Sequence, residues 1–193
     1  MSHCATSDQA TYLTREWVRR LVIDQGLCPF AHPVFDKLLI EVYPGTDVSD
    51  ATTALMAMLD TLSETSSDAI PTALLVTPAL FSDFDEYWNW LHICDTLLQQ
   101  MGYEGELQLA SFHPQYLFEG EDPKDPSHFT NRSPYPMVHI LREDDLEQTL
   151  LQVSSPEKIP ERNRLHLRRL GLDGILQCMP ELKNTAVFAN KDK

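Results

Sequence analysis

Two short segments gather several residues that could move a proton or hold an anion. The first, ASFHPQY, spans residues 110–116, and the second, TNRSPYPMVHILRE, spans residues 130–143. Together they carry His113, Tyr116, Asn131, Arg132, His139 and Arg142. A histidine titrates near neutrality, so His113 and His139 are candidate proton donors or acceptors. Arginine grips carboxylate or phosphate with a two-pronged fork, which makes Arg132 the candidate anion anchor and Arg142 its alternative. The proline-rich SPYP stretch after Arg132 restrains its backbone and lowers the entropy lost on gripping a ligand. Tyr116, Asn131 and Asn163 complete the candidate ligand-binding set. Cys28, in LCPFAHP, is a third candidate for the chemistry, provided that a cation or helix terminus lowers its pKa.

Each of these residues has an ordinary alternative. His113 can be a loop histidine bonded to a backbone carbonyl. His139 lies between Val138 and Ile140 in an apolar run, and alternation puts it on one face with Met137 and Leu141, so it can be a satisfied core residue. Arg132 can pair with one of many surface acids, Asn131 can shape a turn, and Cys28 can be a small packed hydrophobe. Cys28, His32, His113 and His139 have loose ligand spacing, but no compact ligand motif joins them. The expectation is that no metal is tightly bound and no cofactor is used.

The elements that must position these residues alternate. Residues 8–25 read as a helix, with Ala10, Leu13, Trp17 and Leu21 at helical spacing and Gly26 as a stop. KLLIEVY, 37–43, reads as a strand, followed by a helix to about residue 63 capped by Asp47 or Ser49. TALLVT, 72–77, reads as a central strand, and 82–101 as a helix capped by Ser82. ELQLASF, 106–112, and MVHILR, 137–142, are two further strands with no helix between them, so they can pair antiparallel. A helix from Asp144 or Asp145 to about 153 and another over roughly 160–170 follow.

This order implies a single α/β domain over residues 1–171, with a roughly four-stranded mixed sheet, helices packed on it and a long loop between the third and fourth strands. Residues 172–193 read as a loosely held extension. Long loops without secondary structure are usually functional or disordered. This one has aromatic, proline-rich ends and a polar middle, EGEDPKDPSH, which suits a pocket rim with a mobile tip.

Composition narrows the function. The formal net charge of −14 disfavours phosphate backbones and anionic membrane surfaces. No apolar run approaches a membrane span, and the first residues lack an apolar signal region, so the expected location is cytoplasmic. The four cysteines form no CxxC pair, which suits free thiols in a reducing compartment. GxGxxG, Walker, GxSxG and HExxH patterns are absent. The basic run of Lys158, Arg162, Arg164, Arg168 and Arg169 can pair internally, face a second subunit of a homo-oligomer, or help bind an anion. Asn163 interrupts the apolar face of that helix and can reach a buried partner.

LCPFAHP, SFHPQYLF and NRSPYPMVHILRE, followed by a helix with Asn163 and then LG, resemble domain-of-unknown-function family 1415, a group of bacterial and plant proteins. The resemblance covers roughly residues 12–171. It implies that Cys28, His113, Arg132, His139 and Asn163 lie in the segments that define the family, and it implies no activity. Two function classes follow from the residues. One is an enzyme acting on a small anionic metabolite, with histidine acid–base chemistry and an arginine anchor. The other is a non-catalytic module that binds a small ligand or another protein.

Overall fold

The computed structural model describes residues 6–188. Cys4 lies outside them. Helix α1, Ser7–Trp17, opens where the Thr6 side chain accepts from the backbone N–H of Gln9, and it continues into a π-helical segment, Val18–Ile23. A single helical turn, α2 (Ala31–Val34), precedes strand β1, Leu39–Val42. Helix α3, Val48–Glu64, is capped by Asp47, and β2 covers Thr72–Val76. Helix α4, Phe84–Gln100, is capped by Asp83 rather than Ser82, because the Asp83 carboxylate accepts from the backbone N–H groups of both Asp85 and Glu86. Strands β3 (Leu107–Phe112) and β4 (Met137–Arg142) come next, then α5 (Glu143–Leu150) and α6 (Ile159–Cys178).

The sheet runs in the order β1-β2-β4-β3. β1 and β2 are parallel, and β4 is antiparallel to both β2 and β3. The expected four-stranded mixed sheet is present, and β3 and β4 are neighbours as their direct succession suggested.

Alternation along the strands makes two separate cores. Ala73, Leu75, Val138 and Ile140 pack against α3 and α4 on one face. Leu74, Val76 and Met137 pack against α1, the π-helical segment and α6 on the other. β2 is buried along its whole length, as a strand covered on both faces must be.

The helix of the C-terminal segment runs past residue 170. Gly171, at φ 67° and ψ 172°, does break the helix, a backbone geometry that favours glycine. The chain then resumes as helix to Cys178 and buries Ile175, Met179 and Leu182 in the second core. Those apolar side chains, not the helix stop before them, decide how firmly the segment is held.

The loop between β3 and β4 is also more ordered than its polar middle suggested. A 3-10 turn, Pro126–Thr130, buries Ser127, His128 and Phe129. His128 Nε2 donates to the carbonyl of Asp122 at 2.8 Å, and its Nδ1 accepts from the N–H of Phe118 at 3.2 Å. Arg168 on α6 clamps the loop from outside, reaching Asp125 at 2.9 Å and Glu121 at 2.8 Å. Much of the basic run is thus paired within the chain. No helix among the described residues is long and apolar enough to cross a membrane.

Candidate functional site

The sheet face that carries α1 is only partly covered, and a cavity of about 350 Å³ opens there. Its floor is Thr72 and Leu74 from β2, Ala110 and Phe112 from β3, and His139 and Leu141 from β4. These six share one face because each strand supplies every second residue. Trp17, Val18 and Val22 form one wall, and Cys28 with Phe30, Val34 and Phe35 around α2 forms the next. Leu146 and Thr149 of α5 close a third side, joined by Asp145. No residue of α5 is fully buried. The lining is overwhelmingly apolar.

His139 is the main polar group of the floor. Its Nε2 lies 2.6 Å from Thr72 Oγ1. Burial pushes its pKa down to about 4, so the ring is neutral at pH 7. Alternation placed it with Met137 and Leu141, and all three are on the α1 face. Burial also raises the pKa of the Cys28 thiol, against backbone N–H groups of Phe30 and Ala31 that favour the thiolate. That direction favours the neutral thiol over the thiolate.

The other candidates lie elsewhere. His113 is 1% exposed, with Nε2 donating to the carbonyl of Phe81 at 2.8 Å and Nδ1 accepting from the N–H of Gln115 at 3.0 Å. Burial lowers its pKa, partly offset by the bond to Phe81. With both ring nitrogens engaged, it is the carbonyl-bonded loop histidine.

Arg132 has a similar outcome. Its Nε donates to the carbonyl of Tyr116 at 3.0 Å and its Nη2 to that of Pro123 at 3.2 Å, and the guanidinium lies 5.6 Å from the centre of the Phe129 ring. Burial lowers its pKa, as expected where backbone carbonyls replace water. Asn131 donates to the carbonyl of Ser111 at 3.1 Å. Tyr116 packs its ring against Phe84 and Phe118, with centroids 5.0 and 5.2 Å apart.

Arg142 contributes to the cavity wall, but its guanidinium leaves the opposite face of β4. There it donates to the carbonyls of Leu62 at 2.7 Å, Thr65 at 2.6 Å and Ile70 at 3.1 Å, satisfying the C-terminal end of α3. Asn163 reaches inward, with Nδ2 donating to the carbonyl of Leu27 at 2.6 Å. Thus Cys28, His139 and Arg142 share the cavity, while His113, Arg132, Asn131, Tyr116 and Asn163 are outside its lining. Among the described residues no three His, Cys, Asp or Glu side chains gather as a metal would require.

A family model described as protein of unknown function (DUF1415) matches residues 9–177. The chain belongs to this family. The match takes in every residue that lines the cavity and nearly all of α6. The sequence matches no curated protein and no solved structure. Within the DUF1415 region, the segments that carry the resemblance divide by place: LCPFAHP lines the cavity, whereas SFHPQYLF beyond Phe112 and the start of NRSPYPMVHILRE build the ordered loop.

Trp17, Thr72, Leu74, Ala110 and Phe112 did not stand out in the sequence. Thr72 offered the one available signal, a hydroxyl heading an apolar strand on the same face as Leu74.

Proposed function

We propose that this chain binds a small, largely apolar molecule in the cavity over the α1 face of the sheet. The observation that carries this is the cavity itself, about 350 Å³ with an apolar lining and His139 as a polar point in its floor. That size falls within the range of small-molecule sites, which combine apolar walls with a few placed polar groups. Of the two functions expected from the sequence, ligand binding is the better supported. The arginines that would anchor an anion donate to backbone carbonyls, and His113 has neither ring nitrogen free for substrate.

Thermal shift against paired panels of neutral apolar compounds and carboxylates tests the reading. A ligand at a hundred times its Kd stabilises a protein by about 2.7 kcal/mol. Neutral compounds should raise the Tm of the wild type, and Ala110→Phe, which fills the floor, should abolish the effect. Stabilisation by carboxylates alone, or equal stabilisation of Ala110→Phe, would overturn it.

A further inference from the structure

The two hydrogen bonds at Thr72 fix which nitrogen of His139 carries the proton. A threonine hydroxyl has a single proton to give. Thr72 Oγ1 donates it to the carbonyl of Ile140, 2.7 Å away. The Nε2 of His139, 2.6 Å from the same hydroxyl oxygen, must therefore supply its own proton. The neutral ring is then the Nε2–H tautomer, and Nδ1 is a bare acceptor. Nδ1 receives no hydrogen bond from any described residue.

The rest of the lining offers little to complement an anion. The Trp17 indole N–H donates to the carbonyl of Arg132 at 3.2 Å, and the Thr149 hydroxyl to the carbonyl of Asp145 at 2.7 Å. The Arg142 guanidinium lies toward α3. Asp145 brings a carboxylate, which is again an acceptor. A buried polar group without a partner is costly, so an acceptor in an apolar wall selects a donor.

We infer that the molecule this cavity takes is uncharged and apolar and presents one O–H or N–H to Nδ1 of His139. This rests on the apolar-pocket reading above. A carboxylate would set lone pairs against the lone pair of Nδ1 and leave its own charge without a strong donor. The neutral ring supports the same choice, since burial opposes the protonation that a bound anion would demand.

The test uses three probes on one frame, 2-naphthol, 2-methoxynaphthalene and 2-naphthoate, titrated calorimetrically into the full chain. 2-Naphthol should bind about five- to ten-fold tighter than its methyl ether, the ratio a single neutral hydrogen bond supplies. 2-Naphthoate should bind more weakly than either. His139→Phe should bring the naphthol and its ether to equal affinity while both still bind. Equal affinity of these two for the wild type, or a preference for the naphthoate, overturns the inference and leaves the pocket reading standing. No binding by any of the three overturns both. Nitrogen-15 NMR of the unliganded wild type at pH 7 gives a readout independent of the probes. His139 should show a pyridine-type Nδ1 and a pyrrole-type Nε2, and the reverse pattern overturns the inference by itself.

Discussion

Arg132 Nε donates to the carbonyl oxygen of Tyr116 at 3.0 Å, tying the two ends of the β3–β4 loop together across the residues between them. Arg132→Ala should therefore lower stability by about 2–3 kcal/mol, the loss of charged hydrogen bonds together with the contact to Phe129. Affinity for a cavity ligand should be unchanged. Arg132→Lys should recover only part of the stability, because an ammonium cannot reproduce the planar fork. Urea denaturation beside calorimetric titration separates the two effects. A variant that keeps full stability but loses ligand binding would return Arg132 to the site.

His139 makes stability depend on pH. The folded ring holds its proton less readily than the unfolded one, with a pKa of about 4 against the ordinary 6.5. Its contribution is therefore complete above about pH 6.5 and is lost as pH falls toward 4. At pH 4.5 the loss should be roughly 2–3 kcal/mol relative to pH 7. His113 and His128 are shifted in the same direction, chiefly by burial, and add to the acid loss in any variant that retains them. His139→Phe should thus show a shallower decline than the wild type between pH 7 and 4.5. Parallel declines would show that the ring is not held neutral.

The end of α6 should be integral to stability. Ile175 is wholly buried in the second core. Ile175→Ala should cost about 2–5 kcal/mol, as other buried aliphatic truncations do. Ending the chain at Gly171, which also removes Met179 and Leu182, should cost more and yield a protein with a much lower Tm or none that folds. A truncated chain with wild-type Tm would contradict the packing described.

Cys28 should be a slow nucleophile. Burial raises its pKa, so the thiolate is scarce at pH 7. Alkylation by iodoacetamide, followed by mass spectrometry, should run slower at Cys28 than at a cysteine in an unstructured peptide. Occupancy of the cavity by 2-naphthol should slow it further. A faster reaction than the peptide's would revive the catalytic reading.

Much of the architecture was legible because it follows from periodicity. MVHILR reads as a strand, and strand side chains alternate between faces, so the face of His139 could be assigned before any neighbour was known. The absence of a helix between two strand patterns was enough to make β3 and β4 adjacent. The role of Arg132 was not legible, since a restrained backbone suits both a ligand anchor and a loop tie. The loop tie is carried by two backbone carbonyls, at Tyr116 and Pro123, whose position residue type does not mark. The cavity was hidden for a different reason. Its walls run from Trp17 to Thr149, and each apolar residue there looks like core until the packing shows a gap. The end of α6 was hard to see because the backbone turn at Gly171 interrupts the helical period before Ile175, Met179 and Leu182 reach the core.

Because α5 buries none of its residues fully, separating it from the sheet would expose little core surface. The free energy of that local opening should lie far below that of global unfolding. The amide protons of 143–150 should then exchange with solvent long before those of β2 and β4, and a molecule could enter or leave the cavity without the domain coming apart. Residence time in the cavity would be set by how tightly this one short helix closes, independently of how stable the fold beneath it is.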